Sequence, residues 1–151
     1  MKLIASCVFV VILAVAAREQ EEAPPTEALL GEWERLYLDD EGNYHRFFPV
    51  MFAPETLVFA EDESGAALTL VVNDYERRMT YVGGTWIEGG VWIELTDEDW
   101  GKPFFVTVEF FPEGADLAVW TFEEAGGGVV EEKVFARAAT VERFPIVWEE
   151  E

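Results

Sequence analysis

Cysteine is almost missing: Cys7 is the only one in 151 residues. A single thiol excludes an internal disulfide framework and a multi-cysteine metal site. Histidine is equally scarce, with His45 alone, and serine occurs only at Ser6 and Ser64. A serine–histidine–acid triad cannot be assembled from that supply, and neither can a histidine-rich metal centre. Positive charge is short as well: 10 basic residues stand against 31 acidic ones, for a net charge of −21. Nucleic acid and anionic membrane surfaces would repel such a chain. The last shortage is of long hydrophobic runs and long helical periodicity. The one extended apolar stretch, Leu3–Leu13, is the length of a signal-peptide core and falls short of the ~20 residues of a membrane span.

Apolar side chains are plentiful. Half of the residues are hydrophobic and 15% are aromatic, enough for a real core in a chain of single-domain length. Residues 1–17 read as a secretory signal peptide: Lys2 is the charged start, Leu3–Leu13 the apolar centre, and Ala14-Val15-Ala16 the small-residue site. Cleavage is expected after Ala16 or Ala17, giving a secreted or periplasmic protein with no membrane anchor. Ile4-Ala5-Ser6-Cys7 resembles a lipoprotein box, but the apolar segment follows Cys7 when it should precede it, so lipidation is rejected. Cleavage would also remove Cys7, leaving the core alone to hold the domain.

Residues 18–25 are a polar, proline-terminated leader. Thr26-Glu27-Ala28-Leu29-Leu30 suits one helical turn, with Thr26 as N-cap and Glu27 in its first turn. Eight strand-like runs follow: 29–38, 55–60, 67–72, 78–87, 91–96, 104–111, 116–123 and 129–138. They are separated by Gly-, Asp- and Pro-rich turns, the pattern of an antiparallel barrel or sandwich. Pairing of the last run with the first would remove both open edges. The expected fold is therefore all-β, an eight-stranded antiparallel up-and-down barrel over residues 26–138 with a short N-terminal helical turn. Residues 44–54 are apolar but interrupted by Pro49 and Pro54, and read as a long loop. The tail, 139–151, is expected along the barrel wall.

Alternation assigns faces. Leu57 and Phe59, then Leu68, Leu70 and Val72, then Val91, Ile93 and Leu95, then Phe104, Val106, Val108 and Phe110 form the expected core. In the run 116–123 either Leu117 and Val119 or Ala118, Trp120 and Phe122 face inward. Leu29 and Leu30 are placed as a plug at one end.

Leu30-Gly31-Glu32-Trp33, opening the first strand, resembles the Gly-x-Trp signature of lipocalins and the wider calycin superfamily. Phe135-Ala136-Arg137 is similar to that superfamily's late arginine. The resemblance implies a barrel in which Arg137 lies across Trp33 where the first and last strands meet, with Gly31 at the entry. Pro112-Glu113-Gly114 stands where the lipocalin Thr-Asp-Tyr motif belongs, Asn73-Asp74-Tyr75 sits at another turn, and no long C-terminal helix is present in the pattern. The nearest type is the compact bacterial lipocalin-like domain.

In such a barrel the turns near Gly42, Asp74, Asp99 and Gly127 share one mouth with the 44–54 loop, and small barrels bind ligands at their mouths. The expected ligand-binding residues are Tyr37, His45, Phe47, Phe48, Tyr81, Val106 and Val108, for a small hydrophobic or amphipathic molecule. His45 is weighed against an ordinary loop histidine, and Phe47 and Phe48 against a hydrophobic seal. Asp97-Glu98-Asp99 does not make an EF-hand, because position 12 counted from Asp97 is Val108. It reads as a solvated turn. Arg77-Arg78 is too small alone for an anion site, and the glycines at 126–128 open no helix that could cradle phosphate. No nucleophile–base set, metal site or cofactor is expected, so the chain reads as non-enzymatic. The alternative is an interaction module with a packed interior, in which surplus aromatics among Trp86, Trp92, Trp120 and Phe122 form an outward face for a protein partner or homodimer.

Overall fold

The computed structural model describes residues 24–126 and 130–150. The expected signal peptide, and the leader as far as residue 23, lie outside them. A five-residue helix α1 (Pro25–Leu29) is followed by β1 (Gly31–Leu38), β2 (Tyr44–Phe48), β3 (Thr56–Asp62), β4 (Gly65–Val72) and β5 (Tyr75–Ile87). Next come β6 (Gly90–Asp97), β7 (Pro103–Phe111), β8 (Gly114–Glu124), β9 (Val130–Arg137), a 3₁₀ turn (Val141–Arg143) and β10 (Ile146–Trp148). Strands β1 and β3 to β9 form the expected eight-stranded antiparallel barrel, closed by pairing of β9 with β1. A barrel of this strand number has an interior just wide enough for side chains to fill.

Two segments depart from expectation. Tyr44–Phe48 is a strand, not part of a long loop. Both prolines of that segment fall after it, and its residues alternate between faces. It pairs with Leu36–Leu38 of β1, on the edge that β3 occupies along Gly31–Glu34. The tail then adds β10 in parallel to β2, so β2 and β10 form a ribbon outside the eight. Val141 packs with Leu36 and Ala136 in a small outer cluster, bordered by Tyr44, Leu117, Val134 and Phe144. The helix also begins two residues earlier than a Thr26 cap would place it: Pro24 is the N-cap, Pro25 occupies the first turn and Thr26 lies within the helix, with no side-chain cap. Proline tolerates that position because its missing N–H would have no helical partner there.

The main core holds the inward sets expected of β3, β6 and β7. Of the β4 set it holds Leu68, with Leu70 packed against it, whereas Val72, at the end of the strand beside the turn, is only partly buried and lies outside it. In β8 it is Ala118, Trp120 and Phe122 that face inward, directly opposite Phe110, Val108 and Val106 of β7. Trp33 and Trp120 meet edge to face at 5.3 Å, and Trp120 meets Phe135 at 6.0 Å. Leu29 is fully buried and Leu30 packs beside it, so α1 closes the lower end as expected.

The seam explains why α1 stays there. Trp33 and Arg137 are register partners, and the guanidinium carbon lies 4.3 Å from the indole centroid. Trp33 Nε1 donates to the Leu29 carbonyl at 3.0 Å. Arg137 Nη1 donates to the Leu30 carbonyl at 2.8 Å, Nη2 to Ala28, and Nε to Ala115 at 3.3 Å. One cation thus satisfies carbonyls that the end of a short helix leaves open. Gly31 turns the chain between helix and strand at φ +122°, a region side chains rarely adopt. Gly90 is required by proximity: a Cβ there would stand 1.8 Å from the Val108 carbonyl oxygen.

Replacing Arg137 with Met removes the stacked cation and these hydrogen bonds together. Summing typical values, stability should fall by roughly 3 kcal/mol, and Tm by on the order of 10 °C. Differential scanning calorimetry of Arg137→Met and Arg137→Lys tests this. Lysine should recover little, because a point charge cannot reach separate carbonyls as a planar fork does. An unchanged Tm in Arg137→Met would show that backbone pairing alone holds the seam.

Candidate functional site

Polarity changes along the barrel axis. The lower interior is apolar, but the upper interior carries charge, because residues directly opposite on neighbouring strands share a face. Arg35 lies opposite Phe135, Lys133 opposite Trp120, Glu131 opposite Phe122, Arg77 opposite Leu70, and Glu124 opposite Phe104. Eight basic residues occupy described positions: Arg35, Arg46, Arg77, Arg78, Lys102, Lys133, Arg137 and Arg143. Three of them, Arg35, Arg77 and Lys133, point into the upper barrel.

These charges form two groups. In the first, buried Glu55 accepts from Arg35 Nη1 at 3.1 Å and from Lys133 Nζ at 3.2 Å. Glu131 lies 3.5 Å from the same ammonium. The Arg35 guanidinium lies 4.5 Å from the Tyr37 ring centroid. Burial pushes the Tyr37 phenol above its ordinary pKa, outweighing the opposing charge of Arg35. In the second group Arg77 Nε donates to Asp97 Oδ2 at 2.5 Å, and Arg77 Nη2 stands 3.8 Å from Glu124. Asp97 Oδ1 accepts from the amides of Asp99 and Trp100 at 2.9 and 3.3 Å, an Asx turn that carries β6 into the loop before β7. Burial pushes the Asp97 carboxyl up, but the Arg77 hydrogen bond, the Asp99 amide, the Arg77 charge and the Trp100 amide together hold it below its ordinary value.

Asp97 is therefore not the solvated turn residue expected of it. At 2% exposure it is one of the most enclosed polar residues described. Both its oxygens are engaged.

Above this pair the mouth opens into a cavity of about 440 Å³ lined by Tyr75, Arg77, Asp97, Trp100, Lys102, Pro103, Phe104, Glu124 and Ala125. The Arg77 guanidinium lies 4.9 Å from the Phe104 ring centroid. Trp100 is 71% exposed on the rim. A smaller recess of about 170 Å³ shares Arg77, Phe104 and Glu124 and continues to Phe122 and Glu131.

None of the seven residues expected to bind ligand lines the larger cavity. Val106 and Val108 are fully buried in the core beneath it. Tyr81 packs against the core, edge to face with Phe59 at 6.2 Å, and burial raises its phenol pKa. Tyr37, His45 and Phe47 do come together: Tyr37 stacks on His45 at 6.1 Å and meets Phe47 at 5.7 Å. Among the described residues, His45 Nδ1 and Arg35 Nε are enclosed and without a hydrogen-bond partner. Phe48 is separate from that group and meets Trp148 at 4.9 Å. The structural trio Gly31, Trp33 and Arg137 is assembled as the resemblance implies.

Two of the cavity residues, Tyr75 and Arg77, were hidden by one boundary. With Asn73-Asp74-Tyr75-Glu76 read as a turn, Tyr75 and Arg77 had no face. The turn is only Asn73-Asp74, since Val72 pairs with Tyr75 and Leu70 with Arg77. Extending the Met79 parity backwards by two would have turned Arg77 inward. Comparison with family models, with curated proteins and with solved structures finds no match for this chain.

The Arg77–Asp97 pair sets a pH dependence. Because the folded carboxyl lies below its ordinary value of about 3.9, its contribution is complete above about pH 4 and is lost as pH falls through the folded pKa. Asp97→Asn should be less stable by roughly 2 kcal/mol at pH 7 in urea unfolding. The gap to the natural protein should close as pH is lowered from 4 towards 2. A gap that stays constant over that interval would mean the pair does not carry the acid sensitivity.

Proposed function

We propose that the chain is an exported, non-enzymatic binding protein of lipocalin-like, calycin type that holds a small amphipathic molecule in the open mouth of its barrel. The observation that carries this reading is the 440 Å³ cavity above a filled core, a size within the range of small-molecule sites. Its walls combine exposed aromatic surface on Tyr75 and Trp100 with the Phe104 ring and charged groups from Arg77, Lys102 and Glu124. Of the hydrophobic and amphipathic ligands expected from the sequence, the charged walls favour the amphipathic one, because a purely apolar molecule would strip water from those charges without replacing it.

The Gly31 entry and the Arg137 stack on Trp33 support the calycin assignment, and the Lys2 to Ala16 pattern supports export. Catalysis draws no support from the site: the enclosed carboxylate, Asp97, spends both oxygens on Arg77 and on turn amides. It is not available as a general base.

A second reading, an interaction module, is favoured by aromatic surface outside the barrel. Trp92 and Phe105 stack outward at 5.6 Å, and Ile146, Val147 and Trp148 are exposed on the outer ribbon. Light scattering over a range of concentrations separates a monomeric binder from a self-associating module.

Titration with small naphthalene derivatives, read by tryptophan fluorescence, tests the binding reading. Trp100 is on the rim, whereas Trp33 and Trp120 are fully buried. A saturable one-site quench should therefore appear and should largely vanish in Trp100→Phe. Absence of saturation with every probe in the natural protein would overturn a mouth-binding function.

A further inference from the structure

The hydrogen-bonding groups of the cavity are not evenly spent. Asp97 uses both carboxylate oxygens within the protein. Arg77 uses only Nε, so among the described residues its two terminal nitrogens make no hydrogen bond, and the nearer one stands 3.8 Å from Glu124. Lys102, on the same cavity, makes no hydrogen bond through its ammonium among the described residues. Two cations with open donors, Arg77 and Lys102, thus share the lining with one carboxylate left open, Glu124, in a protein with 10 bases against 31 acids. Arg77 is also held still: Asp97 grips its Nε edge, and Phe104 lies 4.9 Å away against its plane. A guanidinium fixed along one edge with its far nitrogens open is preorganised for a planar anion in two-point contact.

Shape restricts the rest of the ligand. Leu68, Met79, Leu95 and Val106 are fully buried under the cavity, so no channel runs down the barrel for a long alkyl chain. A compact ring can lie between the Trp100 rim and Phe104.

We infer, building on the mouth-binding reading, that the ligand is a compact aromatic carboxylate whose anionic head docks on the open nitrogens of Arg77, with Lys102 as the second cation. Glu124 is the internal competitor for that position. Its side chain is half exposed, so an incoming carboxylate can displace it into water. Glu124 then acts as a placeholder that neutralises Arg77 when the mouth is empty.

The test uses three probes of one shape in the full mature chain: 2-naphthoate, neutral 2-naphthamide and cationic 2-naphthylmethylammonium, titrated calorimetrically. The natural protein should bind naphthoate about tenfold or more tightly than naphthamide, as a charge-assisted two-point contact predicts. Glu124→Gln removes the competitor and should widen that preference. Arg77→Met should erase it, so that naphthoate and naphthamide bind with equal affinity within that variant. Since Arg77→Met leaves Asp97 buried without its cation, Glu124→Gln, altering a half-exposed group, keeps the test decisive if the Arg77 variant fails to fold. Equal binding of all three probes, tightest binding of the ammonium, or no gain in Glu124→Gln would overturn the anion assignment and leave mouth binding standing. Failure of all three to bind the natural protein would overturn both.

Discussion

Arg137 sits where three structural requirements meet, and the rest of the barrel depends on that meeting. Strand β9 must return to β1, the short helix must end without bare carbonyls, and the large Trp33 ring must be covered at the barrel's lower end. The guanidinium answers all three, with its flat face 4.3 Å from the indole and its N–H groups on Ala28, Leu30 and Ala115. Burial lowers the Arg137 pKa, with Asp116 partly restoring it. The cation is thus held by geometry as well as by opposing charge. Without that closure β1 and β9 would be open edges, and neither an apolar floor nor a mouth would be defined.

Within the closed barrel the interior divides its labour. Below, fully buried Trp33, Trp120, Phe59 and Phe135 fill the space. Above, Glu55 and Asp97 each hold inward cations, so charge is carried into the barrel only where it is paired. Buried ion pairs of this kind add little net stability relative to apolar packing. They do prevent the core from extending to the rim, and the cavity lies above the point where packing gives way to pairing.

The barrel was legible because its apolar strand faces obey simple alternation. Phe104, Val106, Val108 and Phe110 announce an inward face that the structure keeps, and Trp33 with Arg137 marks the seam. The mouth was not legible for a related reason. Tyr75, Arg77, Asp97 and Glu124 face inward but are polar, so rules that equate polar with outward send them to solvent. Asp97 is the clearest instance: among acids in a turn it looks solvated, yet its two amide hydrogen bonds and Arg77 enclose it. The strand β2 was obscured by its prolines, which terminate the ribbon segment but do not interrupt it. His45 and Phe47, chosen from that supposed loop, do lie with Tyr37, but on the β1–β2 ribbon away from the larger cavity.

The seam also bears on the order of events as the chain acquires its shape. Most neighbouring strands are joined by turns of a few residues, and each such hairpin can form by itself on the microsecond scale. The joint between Leu30 and Arg137 spans 107 positions, so its entropy cost falls due before any of its contacts exist. Closure is accordingly the late and slow event, and until it happens the nascent sheet exposes two unguarded flanks. Trp33, which goes from open to fully enclosed at that moment, makes its own indole a natural clock for the final step.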